Sequence, residues 1–231
     1  MSNTSDNKDF GDREDMQDIM KLRRARQLAV AILKRSRDAG IPEKYMRLNQ
    51  QVFASVLDPD FHGGKVRGIN AFATSVYKEP DFLLKRDFIA IDGGNFESRQ
   101  VAGFAVLFRL IAYDKIGQCV NCDSLIHKFQ TINSTSEITR NDLAEEVKSY
   151  DVLFINEFDK LRFSPHFETG SFFDEVLAER INMERPTIVT FVNPIIADAG
   201  DCDSGCGRHL ARLGLIPQTT KSVLRIRVKN L

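Results

Sequence analysis

Apolar residues recur at helical spacing through residues 12–39, where Ile19, Leu22, Ala25, Leu28, Ala29, Ile32 and Leu33 line one side and no Gly or Pro interrupts them. Gly40 and Pro42 follow in the order that stops a helix. Before this helix, residues 1–11 are rich in Ser, Asn and Asp and predict a disordered tail. Residues 58–68 are punctuated by Pro and Gly and predict a loop. From there the pattern becomes regular. Short apolar or β-branched runs at 88–91, 118–122, 152–155, 187–192 and 222–228 predict strands. Helical runs at 101–113, 142–148 and 172–182 lie between them. The run at 152–155 does not alternate, which suits a strand buried on both faces. Strands alternating with helices predict an α/β fold, a parallel sheet with helices on both sides. The organisation expected is a tail at 1–11, a helical extension at 12–45 and a core at 46–231.

Composition narrows this picture only a little. Lys plus Arg equals Asp plus Glu, so no global basic charge points to nucleic acid. The distribution is uneven: residues 1–20 carry six acids and two bases, residues 21–37 seven bases and no acid. That asymmetry predicts a contact surface or a solvated helix face. No apolar stretch of about 18 residues exists to span a membrane. The polar, acidic N-terminus is unlike a secretory signal, and a cytoplasmic location is expected. Four cysteines in 231 residues do not make a disulfide scaffold.

The chemistry concentrates at two strand ends. Residues 91–100, IDGGNFESRQ, sit between a predicted strand and a predicted helix, the setting of the phosphate loop G-x-x-x-x-G-K-[ST]. Fitted to it, Gly93 keeps the first position, with Gly94 and Asn95 next in the loop. Ser98 stands at the second Gly, Arg99 at the Lys and Gln100 at the Ser/Thr. In a working loop, backbone N–H groups bind phosphate, the Lys reaches the outer phosphates and the hydroxyl ligates magnesium. Ser98 adds a side chain where such a loop is most crowded. Arg99 keeps the charge as a planar fork, and Gln100 offers an amide on a longer arm. The second place is residues 152–157, VLFINE, where four apolar residues precede a polar pair. Two acids there would order the magnesium shell and polarise water. Asn156 removes the first charge and Glu157 retains the second, and a neutral amide is a weak partner for a hard dication.

With both motifs in the right order, the chain resembles the DnaC-like helicase loaders, a branch of the AAA+ ATPases near the DnaA initiators and the IstB transposition ATPases. The resemblance runs from about Leu22 to the C-terminus. It includes residues 35–45 (RSRDAGIPEKY), 149–157 (SYDVLFINE), 179–190 (ERINMERPTIVT) and 207–213 (GRHLARL). It implies a three-layer α/β/α AAA+ domain with five parallel strands in the order 5-1-4-3-2 and no C-terminal lid. It implies ATP or ADP with magnesium as cofactor, Asn193 as the residue that senses the outer phosphate, and Arg212 as a finger toward a neighbouring subunit. Arg208 matches the family's earlier Arg, and Ala211 replaces the Asp before the finger. It also implies a DnaB-type replicative helicase as partner, with single-stranded DNA or another AAA+ protein beside it.

Ser98, Arg99, Gln100 and Asn156 all fall on the nucleotide–magnesium site. The expectation is therefore a pseudo-ATPase of bacterial or phage replication, with nucleotide absent or weakly held and hydrolysis weak or absent. Glu157 and Arg212 remain as the family's catalytic positions. The alternatives are an active, divergent ATPase of the IstB or initiator type, and a decoy that blocks a host loader. Arg23, Arg24, Arg26, Lys34 and Arg35 on the first helix are candidates for DNA or partner contact, with Lys160, Arg162, Arg225, Arg227 and Lys229 as scattered further ones. Cys119 and Cys122 on an edge strand and Cys202 and Cys206 across the sheet predict no zinc site. The four histidines (His62, His127, His166, His209) have no ligand or triad spacing.

Overall fold

The computed structural model describes residues 6–60, 66–133, 135–158, 167–191 and 223–231. Five strands form one sheet: β1 (Phe88–Gly93), β2 (Gly117–Asn121), β3 (Val152–Asn156), β4 (Thr187–Thr190) and β5 (Val223–Val228). Their order is β2-β3-β4-β1-β5, and every neighbouring pair is parallel. This is the order 5-1-4-3-2 that the resemblance implied. Ile89 pairs with Ile188 on β4 and with Leu224 on β5, which places β1 inside the sheet.

Helices cover both faces, which is why the strands read as unbroken apolar runs. On one face, α6 (Phe96–Ala112) packs on Ile89, Ile91, Phe154, Ile188 and Ile226. On the other, α7 (Cys122–Thr131), α8 (Arg140–Ser149) and α9 (Phe167–Asn182) cover Phe88, Ala90, Leu153, Ile155 and Val189. Residues one apart on a strand thus enter different cores. Gly103 of α6 lies directly under Phe154: a Cβ there would stand 2.4 Å from the ring.

The N-terminal part departs from expectation in three ways. Helix α1 (Asp6–Asp38) begins at Asp6, inside the expected tail. Residues 18–31 of α1 are all exposed, and the first buried residue is Ser36. From there the chain belongs to the core, ahead of the expected boundary at 46. Ala39, Ile41, Tyr45 and Met46 are buried, and Tyr45 of α2 (Glu43–Met46) stacks on Phe104 with ring centroids 4.6 Å apart. Lastly, α3 (Gln50–Val56), α4 (Val66–Lys78) and α5 (Asp81–Leu84) fill the stretch before β1. Helix α4 starts within the expected loop at 58–68, because burial of Ile69, Ala73 and Val76 outweighs the local Gly signal. At the sheet edge, Cys119 N–H donates to Ala39 O at 2.8 Å, so the end of α1 covers strand β2.

At the opposite end of the sheet from β1's loop, Arg180 is fully buried and ties α8, α9 and β4 together. Its Nη1 donates to the carbonyls of Val147, Lys148 and Tyr150, its Nη2 to Pro186 O at 2.9 Å, and its Nε to Thr187 Oγ1 at 3.0 Å. These include carbonyls that the end of α8 leaves unpaired. Burial and the nearby Arg185 push Arg180 down to about 10, which leaves it charged at neutral pH. Beside it Lys148 meets Glu175, Glu179 and Glu145, and these hold its ammonium above the usual lysine range.

Substitutions at two positions test this packing. Gly103→Ala adds a clash to a filled site and should cost about 1–2 kcal/mol, the overpacking penalty less the gain in helix propensity. Arg180→Met strands several buried carbonyls and should cost about 3 kcal/mol or more. Arg180→Lys should not rescue it, since lysine lacks the fork. Urea unfolding of each variant measures both.

Candidate functional site

The site forms where β1, β3 and β4 end beneath the start of α6. Strand β1 finishes at Gly93, and only Gly94 and Asn95 separate it from the helix. Gly93 and Gly94 have φ of 81° and 51°, the left-handed region that glycine adopts without strain. The end of β5 also presses on both: an added Cβ would lie 2.6 Å from Val228 O and 2.7 Å from Lys229 O. The glycine pair is therefore required by this turn, whatever it binds.

Asn95 caps the helix. Its side chain accepts from Ser98 N and from Ser98 Oγ, each at 2.9 Å, and its carbonyl accepts from Arg99 N at 3.2 Å. The helix consequently starts at Phe96 and not near 101. The polar stretch 96–100 has no apolar period, and the cap that makes it helical leaves no such signal. Ser98 Oγ also accepts from Leu231 N at 3.1 Å. Arg99 is buried, and its Nη1 donates to Gly93 O at 3.0 Å and Gly94 O at 2.8 Å. Glu97 turns away, to Lys44 at 3.0 Å and Tyr45 Oη at 3.2 Å.

Behind this turn lies a buried neutral network. Gln100 Nε2 donates to Asn156 Oδ1 at 2.5 Å. Thr190 Oγ1 donates to the same oxygen at 2.8 Å and accepts from Glu157 N at 2.7 Å. Glu157 holds φ of 54°, a left-handed conformation that a non-glycine side chain adopts at a cost. On the far side of Gly93, the fully buried Asp92 pairs with Arg225 through Nε at 2.8 Å and through Nη2, and with Arg227 Nε at 3.5 Å.

The structure thus brings Gly93, Gly94, Asn95, Ser98, Arg99, Gln100, Asn156 and Glu157 together. Asn193 and Arg212 lie outside the described residues, as do Arg208, Lys160, Arg162, Cys202 and Cys206. The β4 group at the site is Thr190, which the sequence reading passed over for Asn193. Its signal was its position at the end of β4, beside the end of β3. Arg225 and Arg227, read as candidates for strand contact, are engaged by Asp92. Arg23, Arg24, Arg26 and Lys34 stand exposed on α1, and Arg35 pairs with Asp114. Cys122 opens α7 and is not on the strand with Cys119. Burial pushes the Cys119 thiol up to about 12, so it is protonated at neutral pH.

The resemblance implies magnesium and nucleotide, and the donor set at these strand ends does not fit the metal. A phosphate loop presents free N–H groups and a hydroxyl, and a carboxylate completes the metal shell. Here the N–H groups of Ser98 and Arg99 are bonded to Asn95. The oxygen of Asn156 already accepts from two donors.

No protein-family model and no curated protein matches the sequence. Solved structures do match. A DNA replication initiation factor superposes with a TM-score of 0.53 at 14% identity, over 75% of this chain and 50% of that one. AMPPCP-bound DnaA from Aquifex aeolicus gives 0.50 at 17% identity, over 68% and 46%. The DnaC helicase loader gives 0.51 at 13% identity, over 78% and 100%. The chain shares its fold with these DnaA and DnaC structures. The chain spans about half the length of the initiation factor and of DnaA.

The cap of α6 offers a direct check. Asn95→Ala should cost about 1–2 kcal/mol in urea unfolding, while Asn95→Asp or Asn95→Ser should hold most of the stability.

Proposed function

We propose that this AAA+ domain is a replication-associated factor of the helicase-loader type that works by binding and not by ATP hydrolysis. The single observation that carries this is the neutral pair Gln100–Asn156, hydrogen-bonded to each other where a hydroxyl and a carboxylate would hold magnesium. The bonds from the Ser98 and Arg99 N–H groups to Asn95 and the placement of Arg99 against Gly93 and Gly94 support it further. Nucleotide, if taken up at all, is held weakly and without a metal shell.

The binding work falls to α1. Its exposed stretch carries Arg23, Arg24, Arg26 and Lys34 together with Leu22, Leu28 and Val30, which are 70%, 58% and 61% exposed. A cationic helix with apolar side chains in water suits an acidic, grooved protein surface. The replicative helicase of the DnaB type is the partner proposed, since the DnaC structure of this fold is a helicase loader. Single-stranded DNA is a second ligand for the same cations. No helix among the described residues is long and apolar enough to cross a membrane. The site of action proposed is the cytoplasm.

Retention of Glu157 beside Thr190 favours a second reading, an active divergent ATPase. Turnover with single-stranded DNA and magnesium separates the two. The expected result is no magnesium-dependent hydrolysis, together with capture of a DnaB-type helicase by the full chain and its loss in an α1 variant with Arg23, Arg24 and Arg26 changed to Glu. Magnesium-dependent turnover abolished by Glu157→Gln would discard the binding-only reading.

A further inference from the structure

We infer that the hydrogen-bonded group Gln100, Asn156 and Thr190 takes over the structural task of the absent cation, joining α6 to β3 and β4 so that the domain is ordered without metal or nucleotide. This rests on the reading that the site does not hydrolyse ATP, and it goes further by saying what the altered residues do instead.

The geometry has three parts. Gln100 comes from the first turns of α6, Asn156 from the end of β3 and Thr190 from the end of β4. All three are buried, and the oxygen of Asn156 is the common acceptor. Thr190 then extends the chain of bonds to the backbone N–H of Glu157, where the strand leaves the sheet. Of these three elements, α6 and β3 are the two that a loop-bound cation would join.

The replacements are matched in length and charge. A magnesium ion holds opposed ligand oxygens about 4 Å apart, each near 2 Å from the metal. A Ser or Thr at 100 would fall short of Asn156 by about that gap. Gln has the longer arm and closes it to a direct hydrogen bond. The amide at 156 removes a negative charge that would otherwise lie buried among neutral donors, a costly arrangement without a cation. Each change alone would damage the site: a carboxylate at 156 would lack its metal, and a short hydroxyl at 100 would leave Asn156 with one donor fewer. Together they form a self-sufficient junction.

The test uses the full chain and its melting temperature in EDTA, in magnesium and in magnesium with ATP, with turnover read on the same samples. Wild type should melt at one temperature in all three. Gln100→Ala and Asn156→Ala should each lower it by several degrees, and the double variant by clearly less than the sum, since both break one bond. Gln100→Thr combined with Asn156→Asp should melt lower in EDTA and rise with magnesium. A wild type stabilised by magnesium, additive alanine variants, or a reverted pair that ignores magnesium would overturn the inference. Should the reverted pair fail to fold, the alanine cycle still decides. A wild type that shows turnover refutes the binding-only reading, whereas a wild type without turnover that melts higher in magnesium refutes this inference alone.

Discussion

Gly103 leaves room for the ring of Phe154, and that contact sets how closely α6 lies on the sheet. The same close approach governs the site. Gln100 stands three residues before Gly103, on the same side of the helix. Asn156 stands two residues after Phe154, on the same side of the strand. A helix held against β3 at Gly103 and Phe154 therefore brings Gln100 onto Asn156 one layer further along. A bulkier residue at 103 would lift α6 away and open that bond. Phe104 adds an edge contact to the same ring, with centroids 5.2 Å apart.

Around this contact the polar and charged groups are paired within the chain. Arg99 folds back on the carbonyls of Gly93 and Gly94. Asp92 is satisfied from β5 by Arg225 and Arg227. Asn156 carries no charge. Arg99, Asp92 and Asn156 each have a partner within the chain. A buried polar group with a partner costs far less than one without. At the other end of the sheet, Arg180 does the same for the end of α8.

The helical extension fits a division of labour. Its last turns are part of the core: Ser36 is buried, and Ala39 covers the edge of β2. Its preceding turns, from Asp18 to Ala31, lie in water with both apolar and basic side chains. The exposed, cationic stretch is thus anchored to the core through the last turns of its own helix.

By itself the sequence determined the strands and the layered α/β fold, because apolar periodicity and burial on two faces are local patterns. It also singled out two strand ends, at Gly93 and at Asn156, that the structure joins through the Gln100–Asn156 bond. Only the tertiary structure decided what those residues touch. The start of α6 at Phe96 depends on the cap by Asn95, which periodicity does not register. The role of Thr190 depends on β3 lying beside β4, and the pairing of Arg225 with Asp92 joins residues far apart in the chain. Local pattern fixes which element a residue enters, whereas a buried hydrogen bond or ion pair is chosen by the packing of elements that are distant in sequence.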